Sequence, residues 1–355
     1  MRAAAGSEKT RRGHSADRGS DRPALRVAVP IRMRWMVTSL LGTLRVRLFM
    51  PDPSETRMAG KPGWHDGGPE QLEQLEQVGS NFLAGLRVGL EGTPTDQITG
   101  RLEPISRTFR GFAYEGLAMG LAVADSLSLR PKRVAQFLAG PGQDHVYMAY
   151  IGVGWGMARI PAVRWRAVVP RDPVLRWLAL DGYGFHQAFF QTVRWVSEQW
   201  RPQRYRAWPG PNADYAHNAV DQGIGRALWF INGANPHAVA SCIAGFAPSR
   251  HNDLWSGAGL ASVYAGGVDA GTLATFRELA GPYRPALAQG AAFAAKTRLM
   301  TGLVVPHTEL AVKTHCEMPV QEATAIVDEI GAALPPDGRL TSYEVWRQRI
   351  QDRFR

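Results

Sequence analysis

Three carboxylates stand inside otherwise apolar segments of the chain. Glu115, Asp181 and Asp221 lie in FAYEGLAMG, RWLALDGYGFHQAFF and NAVDQGIGRALWF, respectively. If these groups are buried, each must be paired or protonated, because an isolated buried charge costs too much free energy. One interpretation is structural, with internal ion pairs such as Asp221 with Arg226. The other is functional, with several polar groups facing one apolar cavity, as is typical of binding sites.

These segments supply the candidate site residues. The catalytic candidates are Glu115, Asp181, Asp221 and His186. His186 follows Asp181 by five residues, so the two do not share one face of a helix and a direct dyad is not expected. Candidate substrate-binding residues are aromatic, amide and charged side chains in or near similar segments: Trp177, Phe185, Gln222, Arg226, Trp229, Asp253, Trp255, Gln289 and Glu309. The aromatic ones could line a pocket or simply fill a core.

Glycines preceded by an acid or an amide recur at a long, fixed interval. Gly116 and Gly223 are 107 residues apart, and Gly182 and Gly290 are 108 apart. Such a period predicts an internal duplication. Each of these glycines would weaken an isolated helix by about 1 kcal/mol relative to Ala. We therefore expect neighbouring helices to approach closely at these positions.

The sequence predicts a mostly α-helical fold, built as a duplicated helical repeat of about 107 residues per unit with closely packed Gly-rich helices. The expected organisation is a disordered basic extension (1–35), N-terminal helices (36–104), a first repeat unit (105–205), a second (206–305) and a C-terminal helical segment (306–355).

Apolar spacing predicts individual helices within this scheme. It is most regular over 69–90 and 320–334. The run Arg171–Pro173 is expected to start the central helix, with Pro at an early helical position. Thr308–Cys316 is the one segment whose alternation suggests a strand.

Charge and composition exclude several classes of function. Residues 1–34 contribute +6 of the formal net charge of +10, so the remaining body is only mildly basic and carries no basic, aromatic-interleaved stripe for nucleic acid. The apolar windows are interrupted by charges, and we expect no transmembrane segment. Two cysteines without a paired motif suit a reduced, cytoplasmic protein. The basic run 37–49 is expected to form a short helix that caps the core or docks on a membrane surface or a partner.

No metal or cofactor motif is evident. His307, Glu309, His315 and Cys316 could ligate a metal, but their spacing matches no zinc or iron motif. The glycines from Gly152 have no preceding strand, so they do not predict a dinucleotide site.

Several segments together resemble an actinobacterial domain-of-unknown-function family encoded beside enediyne polyketide synthases. The resemblance covers Leu40–Asp328, and 39–48 matches the family's start. The segments that carry it are YEGLAM from Tyr114, HVYMAYIGVGW from His145, WLALDGYGFH from Trp177, DQGIGRALWF from Asp221, DLWSGAGLA from Asp253, YAGG from Tyr264, AQGAAFAA from Ala288 and PHTELA from Pro306.

The resemblance implies a role in enediyne antibiotic biosynthesis. The implied substrate is the linear conjugated polyene made by the polyketide synthase, on its way to the poly-yne core. The implied partners are other proteins of the same gene cassette, one of them embedded in the membrane, which would place this chain in the cytoplasm or at the inner membrane face. Carboxylates in an apolar polyene pocket would have raised pKa values and could move protons. The alternative is a non-catalytic carrier, scaffold or self-resistance protein, so catalysis by the chain itself stays open.

Overall fold

The computed structural model describes residues 31–58, 68–210 and 212–355, with side chains from residue 40 onward. Within these ranges the chain is helical and contains no strand, which confirms the predicted fold class. Residues 1–30 of the predicted disordered extension lie outside the described residues, whereas 31–35 belong to the first helix.

The helices follow one another with short connections. Their bounds are α1 (Ile31–Phe49), α2 (Pro69–Glu91), α3 (Thr95–Leu102), α4 (Arg107–Ser126), α5 (Arg133–Leu138), α6 (Val146–Arg159), α7 (Trp177–Phe190), α8 (Ala216–Ile231), α9 (Pro236–Ala244), α10 (Pro248–Tyr264), α11 (Ala270–Leu279), α12 (Arg284–Met300), α13 (Pro306–Cys316), α14 (Val320–Ala332) and α15 (Ser342–Arg353). Short 3₁₀ turns lie at Pro53–Thr56, Ala162–Ala167, Ala213–Tyr215 and Gly281–Tyr283, and a π-helical turn at Val193–Ser197.

The core is a row of closely packed helices in the order α2, α4, α6, α7, α8, α10 and α12. Pairs of glycines two residues apart make this possible, because they point to nearly opposite sides of a helix. In α8, a Cβ on Gly223 would lie 1.8 Å from the carbonyl oxygen of Asp181 in α7, and one on Gly225 would lie 2.1 Å from that of Leu254 in α10. Only glycine fits at such contacts. Equivalent pairs occur in α6 (Gly152, Gly154), α7 (Gly182, Gly184) and α10 (Gly257, Gly259).

Neighbouring helices in the first part of the row run in the same direction. Gly85 of α2 packs on Ala113 of α4, and Gly89, one turn later, packs on Leu117, also one turn later. The segment that contains α3 therefore returns the chain to the starting end before α4 begins.

The element order is the one that a duplicated unit would give. Helices α4, α5, α6 and α7 are followed by α8, α9, α10 and α12, with α11 as an addition to the second set. The glycines that motivated the prediction, Gly116, Gly182, Gly223 and Gly290, all lie at helix crossings. The duplication itself stays a prediction of the sequence.

Local predictions have mixed outcomes. The helices expected over 69–90 and 320–334 are confirmed as α2 and α14. The strand expected over Thr308–Cys316 is wrong, because this segment is most of α13 and begins after a proline in the first helical turn. The central helix α7 begins at Trp177 rather than at 171–173, where Asp172 Oδ1 instead accepts hydrogen bonds from the N–H groups of a preceding turn.

Helix α1 packs on the end of α2 and leaves part of its apolar surface uncovered. Arg45 is buried and donates from Nε to the carbonyl oxygen of Leu90 at 2.7 Å. Leu40, Leu41, Leu44 and Leu48 are 50–69% exposed. In the described parts of the chain, no helix is both long and apolar enough to span a membrane.

Candidate functional site

A narrow apolar cleft lies on one side of the helix row. Its free interior volume is about 40 Å³, so a larger ligand requires the lining side chains to move apart. Side chains from α2, α4, α6, α7 and α8 form its walls, and the turn at Pro53–Thr56 lies beside its mouth. The main lining residues are Met58, Phe82, Phe112, Glu115, Met119, Trp155, Arg159, Phe185, Phe189, Phe190, Arg226 and Phe230.

The inner wall of the cleft carries a buried triad of charged groups. Arg226 of α8 is hydrogen-bonded to Asp181 of α7, and its Nη2 lies 3.6 Å from Oε1 of Glu115 of α4. All three side chains are at most 5% exposed. Arg226 and Glu115 line the cleft, while Asp181 lies behind them on the adjacent helix. Asp181 therefore supplies the counter-charge that an isolated buried guanidinium would lack.

Glu115 has an unusual environment for a carboxyl group. Its Oε1 accepts no hydrogen bond of ordinary geometry from the described residues. Arg226 and the indole N–H of Trp155, another cleft residue, nevertheless lie near enough to the carboxyl group to lower its pKa. Burial raises the pKa of Glu115 from its ordinary 4.5 to about 7; Arg226 opposes this rise and Asp181 adds to it. A group with this pKa can both accept and donate a proton near neutral pH, as a general acid–base catalyst must.

His186 lies behind the cleft wall and holds Arg159 at its mouth. The His186 ring packs edge-on against Trp155, with the ring centres 5.6 Å apart, and its Nε2 accepts a hydrogen bond of 3.0 Å from Arg159 Nε. Burial, reinforced by the charge of Arg159, lowers the pKa of His186 to about 3. The ring is therefore neutral, and it acts as an acceptor that orients Arg159.

A second polar cluster lies at the contact with α15, outside the lining of the cleft. Arg347 is fully buried and pairs with Asp253 at 2.6 Å and Glu344 at 3.0 Å. It also donates to Gln289 at 3.2 Å, and Gln222 accepts a hydrogen bond of 3.1 Å from the hydroxyl of Tyr343. These predicted binding residues thus attach the C-terminal helix to the row.

The remaining predicted residues do not meet at the cleft. Asp221 pairs with Arg250 through two hydrogen bonds of 2.9 and 2.6 Å, so the expected Asp221–Arg226 pair is wrong. Trp229 and Trp255 pack on Phe276, with ring centres 5.1 and 5.2 Å away.

Two predicted binding residues lie elsewhere again. Trp177 packs between Trp208 and Tyr215. Glu309 is exposed on α13.

Of the predicted residues, the structure therefore brings Glu115, Asp181, Phe185, His186 and Arg226 to the cleft or its wall. Sequence reasoning missed Trp155, Arg159 and the phenylalanines contributed by the other helices. Trp155 stands between two glycines in GVGWG, and Arg159 ends the same helix. The glycines around Trp155 could have pointed to both residues, since such a pattern predicts a helix that packs against neighbouring helices on two sides.

Possible metal ligands do not converge. Among the described residues, no group of three or more His, Cys, Asp or Glu side chains could hold a metal ion. His315 instead pairs with the hydroxyl of Ser262 at 3.0 Å, and His307 with a backbone carbonyl at 2.8 Å.

Comparison with known proteins places the chain at family level. The sequence model of a family described as a protein of unknown function (DUF1702) matches residues 40–354. No curated protein and no solved structure gives a significant match.

Proposed function

Since the chain belongs to the DUF1702 family over residues 40–354, we propose a function for this family member from its cleft. We propose that the cleft binds a linear, apolar, conjugated chain and that Glu115 exchanges protons with it. The observation that carries the proposal is the position of Glu115: a buried carboxyl oxygen without a hydrogen bond of ordinary geometry lies in a wall made mostly of aromatic and aliphatic side chains.

The shape and chemistry of the cleft support an apolar ligand. Its walls contain several phenylalanines and an indole, and aromatic rings pack well against a planar conjugated chain. Methionines such as Met58 and Met119 can adjust to a narrow ligand as it enters. At the inner wall Asp181 balances the charge of Arg226, and Glu115 is uncharged when it is protonated, so an uncharged chain then meets no unpaired ion.

The identity of the chain as a polyene rests on the sequence resemblance to the family encoded beside enediyne polyketide synthases. In this proposal the synthase supplies a linear polyene, and the protein acts with cassette partners during conversion to the enediyne core. Turning alkenes into alkynes removes hydrogen and needs an oxidant, which we assign to the partners. The part of this chain is to hold the polyene, exclude water and move a proton at Glu115.

The alternative is a carrier, scaffold or self-resistance protein that binds the chain without reacting. Both functions need the cleft, but only catalysis needs Glu115 to change its protonation state. A methyl-ended linear polyene incubated with the protein in heavy water separates them. Deuterium that enters the polyene with the wild type and not with Glu115→Gln supports proton transfer. Tight binding without exchange in either protein supports the carrier.

Binding itself can be tested with diphenylhexatriene, a fluorescent linear hydrocarbon. Gly79 lines the cleft on α2, and a Cβ added there meets only ordinary contacts with Thr56, the nearest at 3.4 Å. Gly79→Leu should therefore fold normally and obstruct the cleft, weakening probe binding at least tenfold. Gly100→Leu is the matched control, because Gly100 is exposed on α3 with no atom within 4 Å. Equal affinity of both variants, or no binding by the wild type, would contradict the proposal.

Residence in the cytoplasm, at the inner face of the membrane, is part of the same proposal. The exposed leucines of α1 form an apolar surface, and residues 31–49 include Arg32, Arg34 and Arg47 and no acid. This combination suits an anionic lipid surface. Leu44→Glu should reduce co-sedimentation with phosphatidylserine-containing vesicles, whereas Leu129→Glu, at a fully exposed site elsewhere, should not. No sedimentation of the wild type would exclude the membrane surface.

A further inference from the structure

The mouth of the cleft carries a guanidinium group that is held in a fixed direction. Arg159 is the last residue of α6 and lines the cleft with its side chain about 30% exposed. Its Nε donates to His186 Nε2 at 3.0 Å, and its guanidinium carbon lies 5.2 Å from the ring centre of Phe190. With Nε engaged and Phe190 packed against the guanidinium, the two terminal nitrogens are left for other partners.

The ion pair that Arg159 makes with Glu55 is partly exposed to solvent. Arg159 Nη2 lies 3.5 Å from Oε2 of Glu55, whose side chain is 45% exposed. Exposed ion pairs of this kind contribute only about 0–1 kcal/mol, because both groups remain solvated. A ligand anion that also fills the cleft can therefore replace Glu55 beside Arg159.

The two ends of the cleft differ in how readily their arginine can accept a ligand anion. At the inner end Arg226 is buried, with Asp181 hydrogen-bonded to it and Glu115 beside it. Another anion at that end would compete with Asp181, which already balances the charge of Arg226, and would lie beside the acidic group of Glu115. Among the described lining residues, Arg159 and Arg226 are the basic ones, so an anionic group on a ligand fits the mouth alone.

We infer that the apolar chain bound in the cleft carries a carboxylate at its outer end, which pairs with Arg159 in place of Glu55. The inference rests on the proposed function, since it needs the chain to occupy the cleft. A carboxylate is favoured because it matches the flat edge of one guanidinium with two parallel hydrogen bonds. The substrate class is then a long unsaturated acid that lies with its hydrocarbon end near Glu115.

The test compares diphenylhexatriene with its propionic acid derivative at pH 8, where the acid is ionised. The quantity measured is the ratio of the affinity for the acid to that for the hydrocarbon. Arg159→Met retains an apolar side chain of similar length and should lower this ratio at least tenfold. Glu55→Gln removes the competing charge and should raise it about threefold. Glutamine can still close the capping box in which Glu55 accepts from the Asp52 N–H, so this variant keeps its local fold.

The outcomes separate the inferred carboxylate at Arg159 from the proposed binding of an apolar chain in the cleft. If the wild type binds both probes and neither substitution changes the ratio, the carboxylate inference is wrong while the cleft remains the binding site. If the wild type binds the hydrocarbon better than the acid, the inference also fails. If it binds neither probe, the proposed function fails as well. Circular dichroism of Arg159→Met, together with the opposite change in Glu55→Gln, distinguishes lost pairing from lost folding.

Discussion

Glu115 Oε1 lies 3.6 Å from Nη2 of Arg226, near enough for an ion pair but too far for a normal hydrogen bond, while the same guanidinium is hydrogen-bonded to Asp181. The charge of Arg226 is thus balanced mainly by Asp181. Glu115, on the cleft side, is left with a pKa of about 7. This division between a carboxylate that neutralises and a carboxyl group that can exchange protons is the central chemical feature of the site.

The raised pKa of Glu115 predicts a specific dependence of stability on pH. Between about pH 4.5 and 7 the native protein keeps a proton on Glu115 that the unfolded chain releases, so this group makes stability fall as pH rises. At about 1.4 kcal/mol for each pKa unit, its contribution is about 3 kcal/mol. Glu115→Gln should lose this contribution and become more stable relative to the wild type at pH 8 than at pH 4. Urea unfolding of both proteins at the two pH values measures this change in relative stability. If the difference in unfolding free energy between the two proteins is the same at both pH values, the raised pKa is contradicted.

Asp181→Asn and Asp221→Asn should behave differently, although both acids are buried. Without the charge of Asp181, Glu115 becomes the main counter-charge of Arg226 and its pKa falls, because Asp181 contributes to its rise. The pH profile of deuterium exchange should therefore move to lower pH in Asp181→Asn.

Asp221→Asn is the matched control, since Asp221 pairs with Arg250 away from the cleft. It should leave the exchange profile in place. Both variants lose one partner of a buried ion pair and should be destabilised by roughly 3–5 kcal/mol. Identical shifts of the profile would mean that Asp181 has no special relation to Glu115.

The helix crossings should tolerate no side chain larger than hydrogen. In Gly223→Ala the added Cβ would meet the backbone oxygen of Asp181 at 1.8 Å, so α7 and α8 must separate. We expect the free energy of unfolding to fall by about 3 kcal/mol, which is at the upper end of the usual cost of overpacking a core. Gly100→Ala, at an open helical site, should instead increase the free energy of unfolding by up to about 1 kcal/mol. Chemical denaturation of both variants gives the comparison; a neutral Gly223→Ala would show that the crossing is looser than described.

Arg347 should stabilise the fold more at high pH than at low pH. Burial already raises the pKa of Asp253 to about 6, and Arg347 opposes this rise. In Arg347→Met the pKa rises further, so the native state resists ionisation of Asp253 and loses stability as pH increases. The variant should be destabilised by several kcal/mol at pH 8 and by less at pH 5.

Arg353→Met provides the control on the same helix. Arg353 pairs with Glu329 at 3.1 Å with both side chains largely exposed, so the change should cost under about 1 kcal/mol at either pH. Thermal unfolding at both pH values compares the two substitutions. Equal effects would remove the assigned role of Arg347 in fixing α15.

The sequence by itself determined the helical class and the close approach of the helices. Both are local or near-local properties: apolar spacing of 3.6 residues identified α2 and α14, and glycines inside apolar runs marked the crossings. The strand predicted over Thr308–Cys316 was wrong because a short run that alternates apolar and polar residues cannot be distinguished from a helix by its period alone.

Only the tertiary structure decided which charges meet. Asp221 and Arg226 are five residues apart and point to different neighbours, so Asp221 pairs with Arg250 and Arg226 with Asp181. The partners depend on how each helix is rotated about its axis and on where it crosses the next one. These quantities follow from the packing of all helices in the row at once. The cleft likewise depends on the packing of the helices. Each of five helices contributes one part of its wall, so no single segment of the sequence predicts the cleft.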